Sequence, residues 1–432
     1  MNIYDSGRMR DALGTLGYKE TNNPEEADIL LLNTCHIREK ASEKLFSEIG
    51  RLNEVKIKRA AQGKETLIIV AGCVVQAEGA EILKRAHAVD IAVGPQNYYR
   101  LPELVAHYNR QKGRVLEADF PAISKFDYLP KIQATSASAF LAIQEGCDNF
   151  CTYCVVPYTR GCEYSRSAEE IIAEARDLVA AGAKEIMLLG QNVNSWHGDG
   201  ASDLGDLIRL VAQIEGLERI RYTTSYPSKI TENLVQAHAE VEKLMPYIHL
   251  PIQSGSNKIL KAMNRQYTAE QYIEIIDRFR KARPDIAISS DFIVGFPGET
   301  DEDFEQTMAI VRQVKYASSY SFKYSPRPGT PASLMKNQVP ESVKTERLIQ
   351  LQALLLEQQK QAYESMVGKT TQVLLTEKGK KAGQLIGYTP YLQTTHVTAD
   401  EQLLNHIVSL KITKASATSL SSELVCDKIS HQ

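Results

Sequence analysis

Short apolar runs separated by polar, helix-length stretches fill the first quarter of the chain. Ala27–Leu32, Thr66–Ala71 and Asp90–Val93 are brief and rich in Leu, Ile and Val. Runs of this kind read as parallel strands buried on both faces. The longest polar helical stretch between them spans about 38–62. The alternation predicts an α/β fold, a doubly wound parallel sheet over residues 1–115. Residues 116–135 carry Pro121 and Pro130 with little periodicity and read as a linker. From 136 to 366 the alternation resumes, with strands expected at 139–144, 184–189, 219–224, 246–250, 286–293 and 317–324. Helices such as Ala168–Ala180 and Ala269–Lys281 fall between them, and another follows from about Val343 to Ser365. Six such units suit a partial, TIM-like (β/α)6 barrel. Over 367–432 the period switches to two, around Val373–Leu375, Gly383–Gly387 and Ile407–Ile412, as in a small all-β barrel.

Composition narrows the class. At 432 residues and 43% apolar, the chain can build two to four domains with real cores. The net charge of −3 gives no global basic field, so any nucleic-acid surface must be a local patch. The start, Met1–Arg8, has no apolar signal core, and no later run approaches a membrane span. A cytoplasmic protein without membrane contact, and a monomer, is expected. Seven cysteines, an odd and sparse count, argue against a disulfide framework. Four of them, Cys147, Cys151, Cys154 and Cys162, fall within sixteen positions and point to metal or redox chemistry.

In a (β/α) barrel the chemistry gathers at the carboxyl ends of the strands. Each expected strand here ends in a polar or Gly-rich string: Gly146–Cys154, Gly190–Asn194, Thr223–Pro227, His249–Gly255, Ser290–Glu299 and Tyr324–Gly329. One such string is an ordinary loop; six at the same end of successive strands outline a single rim. The most specific signal is the Cys-x3-Cys-x2-Cys spacing of Cys147, Cys151 and Cys154. A 4Fe–4S cubane usually takes four thiolates, so three from one loop leave an iron open to an exogenous ligand. The alternative is a structural zinc site completed by Cys162 or a histidine, although zinc favours paired hairpins and no second pair is present.

At this point the chain resembles the radical S-adenosylmethionine (SAM) methylthiotransferases over nearly its whole length. The strings that carry the resemblance are Asn33–Ala41, Ala71–Cys73, Gly146–Cys154 with Val155–Gly161, Leu189–Asn194, His249–Ser256, Ser289–Thr300 and Tyr324–Pro331. It implies three domains: a methylthiotransferase domain, a radical SAM barrel and a C-terminal TRAM barrel that binds RNA. It also implies two 4Fe–4S clusters, SAM as cofactor, and a reductant such as flavodoxin or ferredoxin. The first cluster falls on Cys147, Cys151 and Cys154. The implied reaction takes the hydrogen from carbon 2 of an isopentenylated adenosine next to the tRNA anticodon, inserts sulfur from the second cluster and methylates it. Within the family, threonylcarbamoyl adenosine in tRNA and a ribosomal protein are alternative substrates. A non-catalytic, zinc-stabilised RNA-binding protein is the alternative from another class.

Two of the three cysteines that the family uses for its second cluster match Cys35 and Cys73. The third belongs to a Gly-Cys-x-x-Asn string whose end matches Asn2, Asp5 and Ser6, so that cysteine, and the first strand of the sheet, are expected upstream of Met1; the alternative is a truncated, impaired paralogue, in which two thiolates leave the second cluster labile or absent. For SAM, the expected contacts are Gln191 and Asn192 at the amine, Gln253 and Arg265 at ribose or carboxylate, and Asp291, Val294 and Gly295 around ribose and adenine. Ordinary turns are the competing account of each, and a core role competes for His249. Glu299 is expected to cap the next helix, and Cys162 and Cys426 to be packed or incidental thiols. In the tail, Lys378, Lys380 and Lys381 with Tyr388 and Tyr391 are candidates to grip phosphates and stack bases, although a solvated loop explains so short a run equally.

Overall fold

The computed structural model describes residues 1–35, 39–121, 123–132 and 136–425, without side chains at 39–42. His36, Ile37, Arg38 and Cys426 therefore lie outside the described residues. The chain forms two compact units: one of residues 1–133, 145–150 and 154–164, the other of 134–144, 151–153 and 165–432.

The first unit is a four-stranded parallel sheet in the order β1 (Ile29–Asn33), β2 (Leu67–Ala71), β3 (Ile91–Val93), β4 (Val115–Glu117). Its helices are α1 (Asn2–Gly14), α2 (Glu39–Ala60), α3 (Cys73–Arg85), α4 (Leu101–Gln111) and the short α5 (Val156–Arg160). Alternation along β2 divides its side chains between two cores. Ile68 and Val70 pack with Leu45, Ile49 and Leu52 of α2 and Ile82 of α3. Leu67 and Ile69 pack with Met9 and Leu13 of α1 and Leu101 and Leu104 of α4. Both faces are covered, which is why these strands are apolar throughout; each fully buried Leu or Ile contributes about 1.5–3 kcal/mol.

Helix α1 is missing from the sequence-based expectation for a physical reason. Asp5, Arg8 and Asp11 are buried alongside Met9, Ala12 and Leu13, so charged residues occupy the inward face and erase the amphipathic pattern. Arg8 meets Asp11 at 2.8 Å. The expected linker likewise does more than connect. A 3-10 turn at Lys125–Tyr128 places Lys125 among the most buried side chains of the protein.

The second unit begins with two three-stranded parallel sheets. The first runs β5 (Ser138–Ala142), β6 (Glu185–Leu189), β7 (Arg219–Thr223); the second runs β8 (Tyr247–His249), β9 (Ala287–Val294), β10 (Ser318–Lys323). A parallel bridge between Ile220 and Leu244 continues the order from one to the other, which makes an open six-stranded barrel. Helices α6 (Ala168–Ala180), α7 (Leu204–Ala212), α8 (Glu232–Glu240), α9 (Asn257–Ala262), α10 (Ala269–Ala282) and α11 (Asp301–Val314) connect the strands, and α12 (Glu341–Glu364) follows. Capping boxes at Ser167/Glu170, Thr268/Gln271 and Thr300/Asp303 set the starts of α6, α10 and α11.

The tail closes into a five-stranded barrel, ordered β11 (Thr370–Lys378), β12 (Gln384–Tyr388), β13 (Thr394–Thr398), β15 (Leu420–Leu424), β14 (Ile407–Ala415). Val373, Leu375, Leu385, Val397 and Leu410 fill it. Two arginines of β7 join it to the larger barrel. Arg219 donates to the carbonyls of Tyr388 (3.0 Å) and Gln372 (2.9 Å), and Arg221 to those of Thr389 and Pro390 (both 2.8 Å).

Candidate functional site

In the second unit the carboxyl ends of β6 to β10 carry their expected strings, and of the first string residues 151–153 belong to this unit. Residues 151–153 are pinned to this rim by backbone bonds. Thr152 donates from its amide to Met263 (3.1 Å) and from its hydroxyl to Ala262 (2.9 Å), and its carbonyl accepts from Ala332. Tyr153 packs edge-on to Phe296, beside Ile259, Met263 and Tyr324. Cys151 is buried, and its Sγ accepts a hydrogen bond from Nη1 of Arg265 at 3.5 Å. The same guanidinium gives Nε to Tyr267 (2.7 Å) and Nη2 to the Pro251 carbonyl (2.7 Å), and lies 4.3 Å from the centre of the Tyr226 ring. Arg265, expected at ribose or carboxylate, is thus engaged with a cysteine sulfur, a carbonyl and aromatic faces.

The other SAM candidates divide. Asn192 is buried; its amide donates to Gln144 Oε1, its Nδ2 meets Ser195, and its Oδ1 has no partner among the described residues. Such an orphaned acceptor at a strand end suits a ligand's N–H group. Gln191 is half-buried beside it. Gln253 holds a left-handed backbone (φ +73°) while its amide and carbonyl bridge to Asp291 and Ile293. A non-glycine residue there is strained, a condition that gathers at functional sites. The Asp291 carboxylate lies 3.5 Å from His249 Nε2, and His249 Nδ1 meets Ser289 at 3.0 Å, so His249 is both satisfied and at the rim. Val294 is buried.

Gly295 has a packing constraint of its own, and Glu299 differs from expectation. A Cβ on Gly295 would come within 2.3 Å of the Lys344 side chain, so helix packing accounts for this glycine. Glu299 does not cap α11; Thr300 and Asp303 do. Instead its Oε1 accepts from the Gly295 amide (2.8 Å) and from Arg347 (2.7 Å), which clamps the loop between β9 and α11. Tyr391 is also committed elsewhere: its hydroxyl donates to Asp285 (3.1 Å), and its ring packs near Tyr363 and Met366. Tyr388 is half-buried with its carbonyl bound to Arg219, whereas Lys380 and Lys381 are exposed.

In the first unit, Cys147 Sγ accepts from Asn149 (3.3 Å) and Cys154 Sγ from the Val156 amide (3.5 Å). Cys35 and Cys73 leave the carboxyl ends of adjacent strands, where Asn33 of β1 pairs with Ala71 of β2. Gly72 makes this approach possible: its φ is +99°, and a Cβ there would strike Asn33 Oδ1 at 2.5 Å. Cys73 is buried as the first residue of α3, and its Sγ accepts from Arg160 Nε at 3.3 Å. Cys162 is exposed rather than packed. Among the described residues no group of three or more His, Cys, Asp or Glu side chains is set to hold a single metal ion. A cubane takes each thiolate on a different iron, and thiols that accept hydrogen bonds suit that role.

Three family models match consecutive parts of the chain: the Radical SAM superfamily over 141–311, the Uncharacterized protein family UPF0004 over 1–94 and the TRAM domain over 364–425. A tRNA-2-methylthio-N(6)-dimethylallyladenosine synthase of Maricaulis maris is 56% identical over 437 residues, spanning 99% of this chain and 96% of the relative. That of Rickettsia canadensis is 54% identical, with 98% and 97% covered. This chain belongs to the tRNA-2-methylthio-N(6)-dimethylallyladenosine synthase family. Membership of the radical SAM superfamily brings with it SAM and a 4Fe–4S cluster. The solved radical SAM methyltransferase TsrM of Kitasatospora setae shares the fold at 13% identity, with a TM-score of 0.59 over 77% of this chain and 72% of that one. The radical enzyme OxsB, described as cobalamin-dependent, also shares it, at a TM-score of 0.55 over 82% of this chain and 53% of that one.

Proposed function

We propose that the protein methylthiolates carbon 2 of N(6)-isopentenyladenosine beside the tRNA anticodon. The observation that carries this reading is the 54–56% identity, over nearly the whole chain, to synthases named for that product. Cys147, Cys151 and Cys154 would hold the radical SAM cluster. When bound, the cluster and SAM supply the radical chemistry that an aromatic C–H bond demands and side-chain bases cannot provide. Asn192 Oδ1, which has no partner among the described residues, would accept from the SAM amine, with Gln191 beside it. Asp291 would take a ribose hydroxyl and Val294 would wall the adenine, while Gln253 shapes the rim through its backbone. Arg265 orients the Cys151 sulfur.

Cys35 and Cys73 would carry an auxiliary cluster as the source of sulfur. A flavodoxin or ferredoxin supplies electrons, and the protein works as a cytoplasmic monomer.

Mass spectrometry of tRNA nucleosides from a deletion strain, before and after complementation, tests the substrate. Recovery of the 2-methylthio group on isopentenyladenosine is expected; recovery only on threonylcarbamoyl adenosine, or on no tRNA nucleoside at all, overturns the reading. Replacing Cys151 by Ala is expected to abolish 5′-deoxyadenosine release. Asn192→Ala should raise the KM for SAM about tenfold, the loss of one hydrogen bond to the amine.

A further inference from the structure

The lumen of the large barrel carries aromatic surface that its core does not use. Tyr320 of β10 lies opposite Asp291 of β9, and Phe322 opposite Ile293. His249 of β8 identifies the face: its Nε2 lies 3.5 Å from the Asp291 carboxylate, and its ring meets that of Tyr320 edge-on with centres 6.2 Å apart. The alternate residues point the other way, towards the helices. Phe292 packs edge-on to Tyr316, whose amide donates to Gln358 of α12, and Lys323 Nζ reaches Thr345 of α12 at 3.3 Å. Tyr320 therefore faces the lumen.

Side chains ordinarily fill the inside of such a barrel. Here Tyr320 is 57% exposed and Phe322 39% exposed, although Tyr247 and His249 on the same face are buried. The open surface thus begins at β10, the last strand of its sheet and the edge of the open barrel. Exposed aromatic surface beside a polar rim marks a binding site. Its neighbours limit what can bind. The Asp291 carboxylate repels phosphate, so the sugar–phosphate backbone does not suit this face. Ile293 and Phe322 add apolar surface next to it. A neutral planar ring with an apolar tail satisfies both conditions. Unpaired RNA bases are commonly held by stacking on aromatic side chains, and an enzyme that acts on a base edge first takes the base out of its stack.

We infer that Tyr320 is the platform on which the target adenine stacks, with Phe322 and Ile293 along its isopentenyl tail. The base then lies beside Asp291, so substrate and SAM share one face of the barrel. This inference rests on the proposed substrate, isopentenyladenosine in tRNA.

The full chain is titrated with an anticodon stem–loop RNA carrying isopentenyladenosine, and with the same RNA carrying an abasic site at that position. Tyr320→Ala should weaken binding of the isopentenylated RNA about tenfold, as the loss of one stacked base does, and leave the abasic RNA unaffected. Tyr320→Phe keeps the ring and should bind both RNAs as the native chain does. A purely structural role would lower both affinities together. In a second measurement Tyr320→Trp places an indole on the platform; the chain's single tryptophan, Trp196, is buried. The isopentenylated RNA should quench the new fluorescence and the abasic RNA should not. Equal effects on the two RNAs, a loss of SAM affinity with RNA binding intact, or fluorescence that does not distinguish the RNAs overturns the platform and leaves the substrate reading standing. A native chain that restores no 2-methylthio group to isopentenyladenosine in the deletion strain overturns that reading, and the inference with it.

Discussion

Asp303 shows how much a single side chain can settle. Its carboxylate accepts from Lys258 (2.7 Å), Ser256 (2.7 Å) and the Thr300 amide (2.9 Å), so it fastens α9 to the start of α11. Burial opposes its charge, yet these donors hold its pKa at about 2, below the usual 3.8. The depressed value means that the stability it contributes is complete above pH 3.8 and is lost as pH falls towards 2, by about 2 kcal/mol. Asp303→Asn should therefore lower urea stability at pH 7, with the deficit shrinking at pH 2–3. Glu299 teaches the complementary lesson. An acid at a helix start was legible in the sequence as a cap, but its carboxylate reaches back to Gly295 and across to Arg347, contacts that no local pattern announces.

Among the elements, the large barrel was almost fully legible. Its strands and α6 lie where periodicity placed them, because buried parallel strands and amphipathic helices carry strong periods. Strands β13 and β15 of the small barrel were not found: Thr-Thr-His-Val-Thr and Leu-Ser-Ser-Glu-Leu are mostly polar and present few residues to the core. Pairing with their neighbours forms them, and pairing is not a property of either segment alone. The clamp from β7 is of the same kind. Arg221 also pairs with Glu185 at 2.8 Å, both side chains buried. Arg221→Ala strands that carboxylate and removes two bonds to the small barrel. A loss of about 3–5 kcal/mol, with faster proteolysis of residues beyond 366, is expected from urea unfolding and limited digestion.

For the whole molecule, a net charge of −3 means that tRNA is held by local features rather than by a general field. With Tyr391 spent on packing, Lys380 and Lys381 remain the exposed cations in the turn between β11 and β12. Changing both to Ala should lower the slope of log affinity for tRNA against log salt by about 1–2, as titration of binding at several salt concentrations would show. Among the described residues no helix is long and apolar enough to cross a membrane. The linear chain alone determined the kinds of element, their order, the cysteine spacing and the rim of polar strand ends, since these follow from local period and adjacency. Only the tertiary structure decided that Arg160 meets Asp5 across 155 positions, that Arg265 faces Cys151 across 114, and that Gly295 serves a helix. Such contacts depend on where distant backbones converge and on which charges find partners once water is excluded, and neither is written in the neighbourhood of any one residue.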